Sequence, residues 1–235
     1  MNLDMYESAQ QYQSALAAER DRDRIFLAYL DHLGVSREEL TGKTILDGGC
    51  GHKPAFAIRA RELGIACSVT SVDKGHIHAS DELKEACRII PDTAFEDLHL
   101  KDKFDFIFLH DTTPYTLVNE NQDEEGKWKI TDEHYEEWVE KLIRSIHGVI
   151  QNAGEHLAVG GKAIIYPIFP NDIVDFGSGN GGKKDFRVWR DILDRELIKW
   201  IETHQKNFTM KFELGSGEDE DDPVVRERLI IERRK

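Results

Sequence analysis

The stretch Thr44-Ile45-Leu46-Asp47-Gly48-Gly49-Cys50-Gly51-His52-Lys53-Pro54, continuing to Gly64, decides the fold. Thr44, Ile45 and Leu46 form a short apolar run with β-branched residues, the pattern of a strand covered on both faces. Asp47 closes the run. Gly48, Gly49 and Gly51 then allow a sharp turn and a close approach of backbone to ligand, which side chains would block. Pro54 suits a helix start, where its missing N–H costs nothing. Phe56, Ala60 and Leu63 share one helical face, and Gly64 is suited to end the helix. A glycine turn feeding a helix N-terminus offers free N–H groups to an anionic ligand group.

The details of the turn sort the candidate ligands. A dinucleotide fingerprint, G-x-G-x-x-G, fails: read from Gly49, the third glycine is replaced by Pro54, and read from Gly48, Cys50 stands at the second glycine position. A phosphate-binding G-x-x-x-x-G-K-[ST] is absent. Present instead is an acid at the strand end directly before G-x-G, Asp47-Gly48-Gly49-Cys50-Gly51. This resembles motif I of the class I S-adenosylmethionine (SAM)-dependent methyltransferases, D-x-G-x-G-x-G. Lys53 stands where the last glycine of that motif would be. It narrows the loop, reaches the SAM carboxylate, or points to solvent.

The next strand, Cys67 to Val72, ends in Asp73, 26 residues past Asp47. One helix and one strand fill that interval. An acid there can accept from both ribose hydroxyls, in SAM and NAD enzymes alike. The resemblance makes Asp47, Gly48, Gly49, Cys50, Gly51, Asp73 and Lys74 the expected cofactor-binding set. Beyond a helix over residues 80–87, a short edge strand is expected around Ile89 to Ala94, where Pro91 suits an edge. The family often places an acid after it to accept from the adenine amino group. Glu96 and Asp97 are both candidates, and Asp92 stays open.

Lys103-Phe104-Asp105-Phe106-Ile107-Phe108-Leu109 resembles motif IV of the same family and is the expected fourth strand. Ligands sit beyond the carboxyl ends of such strands, so His110 and Asp111 are the candidate catalytic residues. Either could take a proton from a hydroxyl or amine. His110 could equally pack beneath the cofactor. The N/D-P-P-Y signature of nucleic-acid amine methylation is absent. A helix is expected from Thr131 to about Ala158, then a Gly160-Gly161 turn into a strand from Ala163 to Phe169. Two alternating runs, Asn207–Leu214 and Arg226–Arg233, read as a closing antiparallel pair.

The 235 residues fit one domain over 41–235, with a helical cap over 1–40 that covers the pocket or simply caps the sheet. The resemblance implies an α/β Rossmann-like three-layer sandwich, with a mostly parallel seven-stranded sheet and a C-terminal antiparallel pair. It implies SAM as cofactor and methyl transfer to oxygen or nitrogen. Alternatives are a non-catalytic SAM-binding partner subunit and, less consistent with the turn, an NAD-dependent oxidoreductase. A net charge of −14 argues against a broad nucleic-acid surface. No stretch approaches the roughly 20 apolar residues of a membrane helix. Three cysteines without metal spacing read as reduced thiols, hence a cytoplasmic expectation. His76 and His78 have no third ligand nearby, so no metal is expected. Possible lids at 1–33, 111–130 and 170–184 favour an enclosed small molecule over a protein surface. Tyr115, Trp128, Tyr166 and Phe169 are candidates to line its pocket.

Overall fold

The computed structural model describes residues 26–27, 29–52, 54–77, 81–110, 112, 135–166, 195–196, 199–200, 202–204, 206–214 and 227–235. Seven strands form one sheet: β1 (Thr44–Gly48), β2 (Ser68–Val72), β3 (Cys87–Ile90), β4 (Phe104–His110), β5 (Leu157–Tyr166), β6 (Phe208–Leu214) and β7 (Glu227–Arg233). Their spatial order is β3-β2-β1-β4-β5-β7-β6. β1 to β5 pair in parallel, while β7 is antiparallel to both β5 and β6. β7 alone therefore runs against the rest. The order reverses between β1 and β4, and such a reversal opens a crevice at the carboxyl ends of the two strands.

Alternation along each strand divides the core into two layers. Leu46, Ile107, Leu109 and Ile165 pack with Ile146, Val149, Ile150 and Ala153 on one face. Ile45, Phe106, Phe108 and Ile164 pack on the other with Phe56, Ala57 and Ala60, and with Phe26, Leu30 and Leu33 of the N-terminal helix, described at residues 26–27 and 29–33. The described part of the N-terminal cap thus shares the core of the sheet domain.

Four helices of the described chain follow the local signals closely. α1 (Arg37–Leu40) begins with a capping box in which the Ser36 hydroxyl accepts from Glu39 N–H and the Glu39 carboxylate accepts from Ser36 N–H. α2 (Ala55–Glu62) starts after Pro54, ends at Leu63, and is followed by Gly64 at φ +67°. α3 spans Asp81–Ala86 and α4 spans Tyr135–His156. Among the described residues no helix is long and apolar enough to cross a membrane.

Two boundaries differ from expectation. β3 begins at Cys87, directly after α3, and Pro91 lies beyond its end. The register Val69↔Cys87 to Val72↔Ile90 sets this start, since β2 offers its partners only there. β5 begins at Leu157, where the helix was expected to continue, and it incorporates the glycine pair instead of starting after it. Phe104 pairs with Leu157 but Phe106 with Lys162, so the glycines form a bulge within the strand. Gly160 has φ +80°, and a Cβ on Gly161 would lie 2.8 Å from the Phe104 carbonyl oxygen.

Candidate functional site

The glycine turn after β1 is held by its neighbour strand. Gly49 N–H and Cys50 N–H both donate to the Val72 carbonyl, at 2.8 and 3.2 Å. Gly49 and Gly51 have φ of +70° and +73°, a conformation that side chains disfavour. Gly48 and Gly49 are also required by contact. A Cβ on Gly48 would lie 2.6 Å from Leu109 Cδ2, and one on Gly49 would lie 1.9 Å from Thr112 Cγ2. A Cβ on Gly51 would meet no atom of the described residues within 4 Å.

Asp73 ties the turn to the loop after β2. Its Oδ2 accepts from Gly51 N–H at 2.8 Å and its Oδ1 from Gly75 N–H at 2.7 Å. A carboxylate has about four acceptor positions, so two bonds leave capacity on both oxygens. The turn after β3 is fastened here too, through Thr93 N–H donating to the Asp73 carbonyl at 2.9 Å. Lys74 is exposed in the turn after Asp73.

Asp47 is 2 % exposed and accepts from Tyr29 Oη at 2.6 Å. Burial pushes its carboxyl up to about 6, against the lowering effects of the Tyr29 bond and the nearby His110. Asp73 adds a smaller upward push. Burial first, then the negative neighbours Asp47 and Asp73, push the Cys50 thiol far up, so this cysteine stays protonated and is a poor nucleophile.

His110 is the last residue of β4 and pairs in register with Tyr166 at the end of β5. Its ring stacks on Tyr29, with centroids 4.5 Å apart and planes at 24°. Its Nε2 is 2.9 Å from His32 Nδ1. His32 in turn stacks on Tyr166 at 4.6 Å. Two aromatic pairs therefore stand over the carboxyl ends of β1, β4 and β5.

The other expected residues lie apart from this group. Glu96, in a 3-10 turn over Phe95–Asp97, accepts from Ser145 Oγ of α4 at 3.2 Å. Asn152 of the same helix donates to the carbonyls of Phe95, at 2.9 Å, and Glu96, at 2.5 Å. Asp97 is exposed, as is Asp92, which has φ +53°. Asp111, Lys53, Tyr115, Trp128 and Phe169 lie outside the described residues, as does most of the candidate lids. Sequence reasoning singled out neither Tyr29 nor His32. Their spacing of three residues puts both on one side of a helix, the only signal available.

No family model matches this sequence, and no curated protein does. Solved structures do. One is the plantazolicin methyltransferase BpumL in complex with a pentazolic desmethylPZN analog and SAH, S-adenosylhomocysteine: 14% identity over 100% of this chain and 92% of that one, with TM-score 0.52. The same enzyme with a monoazolic analog and SAH gives 12% identity, coverage of 98% and 92%, and TM-score 0.52. With a triazolic analog and SAH it gives 13% identity, coverage of 99% and 92%, and TM-score 0.51. At such identities the likeness is one of fold, and the fold is that of the class I methyltransferases.

Proposed function

We propose that this protein binds SAM and transfers its methyl group to a hydroxyl or amine of a small molecule. The observation that carries the reading is the Asp73 carboxylate, which is fastened to Gly51 and Gly75 and still has acceptor capacity on both oxygens. Two adjacent ribose hydroxyls are donors of matching number. Among the described residues nothing crowds Gly51, which supports the approach of a ligand to the turn, and Thr112 Oγ1, beside Gly49, has no hydrogen-bond partner among them. SAH in the BpumL complexes adds support from the fold. The three free thiols fit a reducing cytoplasm.

When bound, the sulfonium cofactor supplies an electrophilic methyl group. Asp73 would hold the ribose, and the Gly49–Gly51 turn would let the backbone approach the methionine end. The turn and the wall of Tyr29, His110 and Tyr166 restrict where an acceptor can stand, and positioning of this kind lowers the barrier by several kcal/mol. His110 accepts the proton that the acceptor loses.

Calorimetry with SAH, SAM and NAD tests the reading. Micromolar SAH binding that Asp73→Ala weakens at least tenfold is expected. Binding of NAD with none of SAH overturns it.

A further inference from the structure

His110 is one half of a pair. Its ring and that of His32 are inclined by only 10°, with centroids 5.2 Å apart and Nε2 to Nδ1 at 2.9 Å. At that separation the two imidazoles lie edge to edge, joined by one hydrogen bond, and not face over face. Between neutral rings one nitrogen must carry the proton and the other must accept it. A proton added to either ring is therefore shared across the bond.

The position of His32 is enforced by a side chain of β7. Arg228 of β7 reaches the end of the 26–33 helix, where its Nη1 donates to the carbonyls of Asp31 and His32, each at 3.4 Å. Glu213 of β6 holds the same guanidinium through Nε at 3.2 Å and Nη2 at 2.8 Å. Gly34 provides the room: a Cβ there would fall 2.1 Å from Arg228 Nη1. A cation at a helix C-terminus is also favoured by the helix dipole.

We propose that His32 is the partner through which His110 works as a proton acceptor, so that the pair serves acceptors whose nucleophilic atom must lose a proton. This rests on the methyl-transfer reading. In the step, the acceptor's O–H or N–H proton passes to His110. The acceptor's electron pair forms the bond to the methyl carbon, and the carbon–sulfur pair leaves on sulfur. The positive charge gained is spread over both imidazoles. Among the described residues, Asp47 from β1, Tyr29 from the N-terminal helix and Tyr166 from β5 are titratable groups facing the pair, and Arg228 from β7 is a fixed charge beside it. His32 is thus a positioning residue, and Arg228 positions it in turn.

The test uses the full chain with methyl-labelled SAM and a panel of phenols, alcohols and primary amines, with carboxylates as acceptors that have no proton to lose. The expected result is transfer to a hydroxyl or amine. His32→Gln should lower kcat about tenfold, with KM and SAH affinity within about twofold. His110→Gln should lose more, and adding His32→Gln to it should cost nothing further. Equal rates in His32→Gln and the wild type overturn the pairing. SAH binding without transfer to any protic acceptor overturns the inference but leaves the cofactor reading standing. Failure to bind SAH or SAM overturns the reading on which it rests.

Discussion

Tyr29 Oη donates to Asp47 Oδ1 at 2.6 Å, and this bond joins the N-terminal helix to the end of β1. It places a phenol from outside the sheet against the acid that precedes the glycine turn. The stability of the free protein and its capacity to bind a cofactor are therefore linked at one carboxyl group.

Asp47 has its folded pKa raised from 3.8 to about 6. A raised value means that the folded state holds the proton more tightly, so the stabilisation is complete below 3.8 and is lost as pH rises through about 6. The change is on the order of 3 kcal/mol. Asp47→Asn should remove this dependence and raise stability above pH 6, while weakening SAH binding. Urea unfolding at pH 4 and pH 7.5 checks the first effect and calorimetry the second.

Tyr29→Phe removes the donor that lowers the Asp47 pKa. The carboxyl should titrate higher still, and the protein should lose about 1–2 kcal/mol above pH 6. Below pH 4 the loss should be smaller, since a neutral carboxyl needs the donor less. Unfolding curves at the two pH values measure the difference.

Gly49 and Gly51 share a left-handed backbone but not a neighbourhood. Gly49→Ala drives a methyl into Thr112 and should cost more than 2 kcal/mol by order of magnitude. Gly51→Ala carries only the backbone strain, about 1 kcal/mol. Adding Thr112→Ala to Gly49→Ala removes Cγ2 and should recover part of the loss. Thermal unfolding of the three variants orders them, and Gly51→Ala should still impair SAH binding.

Arg228→Met retains an apolar stem but leaves the carbonyls of Asp31 and His32 without their cation. The 26–33 helix should exchange its amide hydrogens faster, and stability should fall by about 1–2 kcal/mol. Hydrogen exchange followed peptide by peptide locates the effect, and protection over β1 and β4 should change little.

Much of the fold was legible because its signals are local. Thr44–Leu46, the glycine turn and Gly64 each announce a strand, a bend and a helix end within a few residues. The alternation of residues 207–214 and 226–233 announces the closing pair in the same way. The boundaries of β3 and β5 were not legible, because register with β2 and β4 sets them. A glycine pair reads alike as a turn or as a bulge.

The amino-acid sequence by itself marked the strands and the closing antiparallel pair, the acids at the ends of β1 and β2, and the placing of His110 at a strand end. Tertiary structure alone decided what those residues face. His32 and His110 are 78 positions apart, and Arg228 lies a further 118 along the chain. No short-range pattern encodes such a meeting. It follows from the packing of Phe26, Leu30 and Leu33 against β1 and β4, which turns the flank of their helix that carries Tyr29 and His32 toward the carboxyl ends of the strands. Glu96 shows the same principle: the docking of α4 brings Ser145, 49 positions along the chain, to its carboxylate.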